Sequence, residues 1–182
     1  VNTDAYQPEE RRLRITRSLL ETLAEYRHPV TMITKSGLIM RDIDILGSMA
    51  EKGLARVAVS LTTLDRHLCR VMEPRAASPA RRLATIRALT EAGIPVTVMT
   101  APIIPALNEP EMEDMLEEAR DAGASCAGYV LLRLPYELKD IFQEWLVSQF
   151  PDRAKRVINV LRSMRGGLDY DSNWQTRGRG DG

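Results

Sequence analysis

The side chains able to do chemistry in this sequence sit at the ends of apolar runs. "RVAVSLTTLD", Arg56 to Asp65, reads as a strand to Leu61, then breaks into hydroxyls and an acid, with Ser60 just before the break. "VTMITKS" ends in Thr34, Lys35 and Ser36, and "IPVTVMTAP" ends in Thr100, Ala101 and Pro102. "YVLLRLP" closes on Arg133, Leu134 and Pro135, and the opening "VNTD" supplies Thr3 and Asp4. Lys35 is the only lysine at such an end. It could pair with an anionic ligand, serve as a Schiff-base nucleophile if burial suppresses its charge, or stand in a solvated loop. Asp4 and Asp65 could orient ribose hydroxyls or cap the helices that follow. In "TAPIIPALNE" the prolines Pro102 and Pro105 flank an isoleucine pair and force extended backbone. Its amides and carbonyls are then free to face a flat ligand such as adenine.

Other constellations carry a less specific signal. "RVMEPRAASPARRL" brings Arg70, Glu73, Arg75, Arg81 and Arg82 close together. Such a cluster could clamp a carboxylate or phosphate, or form surface ion pairs of little worth. The acidic run from 108 to 118 reads as a solvated helix face. His28 and His67 lack a partner pattern and read as structural or exposed. Cys69 could be a reactive thiol, though a lone cysteine on a helix is more often a small apolar residue.

The elements that must position these residues alternate. Pro8 opens a helix predicted to run to about Tyr26, and Pro29 ends it before the strand "VTMIT". A helix follows over about 41–52, then the strand "ARVAVSL". Ser78-Pro79 is a helix start, with the hydroxyl as N-cap and the proline at N1. Asn108 is expected to cap "EPEMEDMLEEARDA", and two last helices are expected over about 137–149 and 152–164. "EKGLARVAVS", "EAGIPVTVMT" and "DAGASCAGYVLL" share one grammar: a helix end, a glycine for the left-handed cap, then an apolar strand. Strands beginning near Val30, Ala55, Pro95 and Cys126 predict a parallel sheet with right-handed crossovers. The fold class is α/β, either part of a β/α barrel or an open doubly wound sheet. In both, chemistry sits beyond the carboxyl ends of the strands, where the residues above would ring one mouth.

Composition sets the outer bounds. The 182 residues suffice for one domain with a core, and residues 1–165 read as that domain, with a Gly- and Arg-rich tail over 166–182. The chain is 44% hydrophobic and 27% charged, with 25 basic and 25 acidic residues, so no global field argues for nucleic acid or a membrane. Cys69 and Cys126 are far apart without metal-ligand spacing, which argues for a reducing compartment, the cytoplasm, and against a metal site built from this chain alone. The first residue is Val1 rather than Met, and both ends read as cut from a longer protein.

Taken in order, "NTDAYQP", "ITKS", "VSLTTLD", "MEPRAASP", "AGIPVTVMTAPIIPALN" and "YVLLRLP" resemble a radical S-adenosylmethionine protein of the spore photoproduct lyase-like branch. The resemblance implies a partial β/α barrel of parallel strands with outer helices. It also implies a 4Fe–4S cluster held by a CxxxCxxC loop after the first strand, S-adenosylmethionine on the unique iron, and a 5′-deoxyadenosyl radical. Thr3 and Asp4 would lie near the methionine end of the cofactor, Lys35 at its carboxylate or ribose, Ser60 at its polar groups, and the backbone of Ala101 and Pro102 at its adenine. No CxxxCxxC is present, so the first strand and cluster loop are expected upstream of Val1, and this chain alone is expected to be inactive. No catalytic residue is assigned. Kinship implies a DNA or nucleotide-derived substrate and an external electron donor. The alternatives are an aldolase-like barrel using Lys35, or a nucleic-acid module using the 70–82 arginines with Arg162, Arg165, Arg177 and Arg179.

Overall fold

A computed structural model describes residues 3–168. Four strands form one parallel sheet in the order β1-β2-β3-β4: β1 Val30–Thr34, β2 Ala55–Ser60, β3 Val96–Ile103 and β4 Cys126–Leu131. Helices α1 Glu10–Leu13 and α2 Ile15–Glu25 precede β1. A 3-10 turn, Gly37–Asp42, leads into α3 Ile43–Ala50, while α4 Arg66–Met72 and α5 Pro79–Glu91 join β2 to β3. Another 3-10 turn, Glu109–Glu111, leads into α6 Met112–Asp121, and α7 Leu138–Gln149 and α8 Pro151–Ser163 follow β4. The glycine grammar holds: Gly53 and Gly93 take φ of +70° and +74° at helix ends, a conformation that a Cβ disfavours.

The register explains the core. Val57 pairs with Val96 and Val59 with Val98, so alternate residues of β2 and β3 point to one face. There they pack with Leu20 of α2, Leu46 and Met49 of α3, Ile86 and Leu89 of α5 and Met115 of α6 in one apolar cluster. Each such fully buried aliphatic chain contributes about 1.5–3 kcal/mol. Helices gathered on one face make an arc of a β/α barrel rather than a doubly wound sheet, which carries helices on both faces. On the opposite face Ile33 lies beside Ala58, and Ser60 beside Met99 and then Gly128. A second apolar cluster, with Leu68, Ile104, Leu107, Leu134, Leu146 and Leu161, ties α4, α7 and α8 to the loops beyond β3 and β4. Among the described residues no helix is long and apolar enough to cross a membrane.

Two expected elements differ. The first helix breaks at Arg14, which takes φ +52°. The buried Glu10 carboxylate turns back to accept the Thr16 amide at 3.1 Å, and the Thr16 hydroxyl donates to the Ala5 carbonyl at 2.7 Å. Capping the second segment with a side chain of the first requires the bend. Asn108 is no helix cap: it is fully buried, donates to the Thr62 and Pro102 carbonyls at 2.6 and 2.9 Å, and accepts the Ile104 amide at 2.6 Å. It therefore braces the proline-rich turn after β3 against the end of β2. The final tail, 169–182, and Val1 and Asn2 lie outside the described residues.

Candidate functional site

The carboxyl ends of the strands are joined by one carboxylate. Glu73, just past α4, accepts from Lys35 Nζ beyond β1 on one oxygen. Its other oxygen accepts from the Thr62 hydroxyl at 2.8 Å and from Arg82 Nη2 at 2.6 Å. Arg82, on α5, is fully buried, and all three of its guanidinium nitrogens are used: Nη1 donates to the Ser60 carbonyl at 3.0 Å and Nε to the Ala77 carbonyl at 2.8 Å. Burial opposes the charge on Glu73, but Arg82 and then Lys35 outweigh it and hold the carboxyl below the ordinary glutamate range. Lys35 and Ser60 thus belong to one charged network at adjacent strand tips.

Asp4 pins the entering segment to the same rim. Its carboxylate accepts from the Tyr6 amide at 2.9 Å, the Thr34 hydroxyl at 2.8 Å and the Lys35 amide at 2.7 Å. It caps no helix. Asp65 does cap one, accepting the His67 and Leu68 amides at the start of α4. Beside Asp4, the Tyr6 hydroxyl donates to the buried Asp42 at 3.1 Å, and Arg17 and Arg41 also donate to Asp42. Burial and then the charge of Asp42 raise the Tyr6 hydroxyl far above the usual phenol range. Burial opposes ionisation of Asp42 too, but Arg41 and Arg17 prevail and lower it.

Asp4, Lys35 and Arg75 line a cleft of about 1060 Å³ between the entering segment, the β1–α3 turn and residues 75–81. Thr3 is exposed and, like Ser60, Ala101 and Pro102, does not line it. Ser60 is buried, and its hydroxyl has no hydrogen-bond partner among the described residues. Ala101 and Pro102 are joined by a cis peptide bond and lie within β3, where the register with β4 shifts between Thr100 and Ile103. Two residues past β4, Arg133 Nε is buried and has no hydrogen-bond partner among the described residues. These strand-end polar groups suit the amino-acid and nucleoside ends of S-adenosylmethionine. An iron–sulfur cluster does not fit this chain's own residues: the cysteines are Cys69 and Cys126, and no three metal-ligating side chains gather among the described residues.

Several sequence expectations meet a definite outcome here. The 70–82 cluster is divided: Glu73 and Arg82 turn inward as a buried pair, while Arg70, Arg75 and Arg81 stay exposed. Arg165, offered for a nucleic-acid surface, is buried and donates to the Leu132 carbonyl, and Arg177 and Arg179 lie outside the described residues. Cys69 is buried, and burial pushes its thiol up, as befits a small apolar residue. His28 and His67 are exposed. Glu111, read as part of a solvated acidic face, accepts from the Thr63 hydroxyl at 2.8 Å and from the Leu64 amide at 2.8 Å. The reading of residues alone left Glu73 undecided and missed Asn108 and Glu111. The helpful signal for Glu73 was the proline after it, which ends α4 at Met72. Glu111 follows Pro110 in the 3-10 turn that opens α6, and no such signal marks it.

An uncharacterized protein of Mycobacterium tuberculosis is 31% identical over 163 residues, covering 88% of this chain and 48% of the relative. One from Methanocaldococcus jannaschii is 29% identical over 109 residues, 60% of this chain and 40% of its own length. A protein of Acidianus two-tailed virus is 34% identical over 95 residues, covering 50% of this chain and 31% of the relative. The chain spans about half the length, or less, of these relatives. The family model for the radical SAM superfamily matches residues 2–119, the stretch from the Asp4 anchor through β3 into α6 that builds the rim. The parallel strand tips and that match lead to one conclusion: the chain belongs to the radical SAM superfamily.

Proposed function

We propose that this rim holds S-adenosylmethionine in a radical SAM enzyme of the spore photoproduct lyase-like branch, acting on DNA or a nucleotide-derived substrate with an external electron donor. The observation that carries the reading is the open Ser60 hydroxyl at the tip of β2, beside the Lys35–Glu73–Arg82 network. Superfamily members use S-adenosylmethionine with a 4Fe–4S cluster, and the bound pair supplies a 5′-deoxyadenosyl radical. Ser60 donates to a polar group of the cofactor, Lys35 sets a positive field at its carboxylate, and the off-register backbone at Ala101 and Pro102 meets its adenine. Thr3 and Asp4 stand at the methionine end, where Asp4 acts through the amides it fixes. Arg133 Nε is a further donor at the rim. The thiolates for the cluster come from outside this chain.

The test is anaerobic reconstitution of the full-length protein with iron and sulfide, followed by S-adenosylmethionine and a strong reductant. Formation of 5′-deoxyadenosine and methionine is expected; intact cofactor after reconstitution of a full cluster overturns the proposal. The aldolase-like alternative needs a neutral Lys35 amine. In this structure Lys35 Nζ is engaged by the Glu73 carboxylate rather than turned free toward a carbonyl. Borohydride in the presence of small carbonyl compounds should therefore leave Lys35 unlabelled.

A further inference from the structure

The cleft beside Asp4 and Lys35 carries more positive charge than its own partners neutralise. Five cationic side chains line it, against the carboxylates of Asp4 and Glu9. Lys35 is engaged by Glu73, and Arg41 by Asp42 and Glu10. Arg11, Arg75 and Arg81 have neither a carboxylate partner nor a side-chain hydrogen bond among the described residues. Arg81 is also placed by the backbone opposite it. A Cβ on Gly37 would meet Arg81 Nε at 2.9 Å, so the side chain lies against that glycine. Arg81 sits in the first turn of α5, which holds no acidic residue. A cation there opposes the helix dipole. Glu73 compensates Arg82, the next residue, but among the described residues no carboxylate pairs with Arg81.

Three uncompensated guanidinium groups around a cleft of ligand size suit spaced oxyanions. A single guanidinium fork fills a carboxylate, whereas a phosphate offers several oxygens to separate forks. We propose that this cleft binds a ligand bearing two or more phosphate groups through Arg11, Arg75 and Arg81. The inference deepens the proposed function by naming the substrate's chemistry, and rests on it only for the word substrate. Phosphate binding itself needs neither cofactor nor cluster.

The experiment measures binding of pyrophosphate and of a short single-stranded oligonucleotide to the purified full-length protein, alongside R75Q/R81Q, R81K and R120Q variants. Arg120 is exposed and paired with Asp121, outside the cleft. Binding is expected for at least one probe, weakened about tenfold or more in R75Q/R81Q, largely kept in R81K and unchanged in R120Q. Three single-strand phosphate contacts predict a log–log salt slope of about −2 for the oligonucleotide, falling by about 0.7 for each arginine removed. Pyrophosphate bound alone, or as tightly as the oligonucleotide, identifies a small phosphorylated ligand; oligonucleotide binding alone identifies a strand backbone. Failure of both probes, or equal binding by R75Q/R81Q and R120Q, overturns the proposal. Cofactor binding is measured on the same samples. R75Q/R81Q should retain S-adenosylmethionine, so loss of phosphate binding and loss of the cofactor reading are separate results.

Discussion

Removing Glu73 strands Arg82 in the interior. Glu73→Ala leaves a fully buried guanidinium without its carboxylate, and breaking a buried pair from one side costs roughly 3–5 kcal/mol. Urea unfolding measures this, and Glu73→Gln, which keeps the shape and some hydrogen bonds, should lose less. The pH dependence follows from the direction of the shift. The folded Glu73 carboxyl lies below its unfolded value of 4.5, so its contribution is complete above that pH. It disappears as the pH falls through the lowered folded value. Glu73→Gln should flatten that acid limb; an unchanged limb would place the titration elsewhere. None of this burial was legible in "MEPRAASPARRL", because charged residues are mostly exposed and a cluster of them reads as surface. Only the fold, which folds α4 and α5 over the tips of β1 and β2, turns Glu73 and Arg82 inward while leaving Arg75 and Arg81 in water.

At the scale of elements, two side chains hold ends in place by different means. Ser78 accepts the Arg81 amide and starts α5 ahead of Pro79, as the sequence pattern predicts. Ser78→Ala should cost about 1 kcal/mol in thermal or urea unfolding. Asn108 fixes the turn after β3 with three buried hydrogen bonds, so Asn108→Ala leaves buried backbone groups unpaired. The cost should be at least about 1–3 kcal/mol, with faster amide exchange at Ile104. Unchanged exchange there would argue that the turn is held by its prolines alone. The strands were legible because buried parallel strands are continuous apolar runs, and β2, β3 and β4 each follow a glycine cap. The break at Arg14 was not, since it depends on Glu10 reaching Thr16 once α1 has bent, a contact between segments rather than a local propensity.

Across the whole molecule, the sheet and its one-sided helices convert four separate strand ends into a single rim. The architecture was readable from spacing alone up to the choice between a barrel arc and a doubly wound sheet. One apolar cluster on one face decides that choice. The chemistry of the rim was readable less fully: Lys35 follows β1 and Ser60 ends β2 as expected, whereas Ala101 and Pro102, expected after the strand, lie within β3. Neither the carboxylate that joins Lys35 to the β2 end nor the hydrogen bond of Tyr6 to Asp42 could be inferred from spacing. The central claim is that these tips grip S-adenosylmethionine, with the Ser60 hydroxyl as a direct partner. Its most direct test is the affinity of the cluster-loaded full-length protein for S-adenosylmethionine, wild type against Ser60→Ala. Loss of one hydrogen bond of about 0.5–1.5 kcal/mol predicts binding weaker by roughly two- to thirteenfold, with the fold intact. Equal affinity in the two proteins would contradict the account.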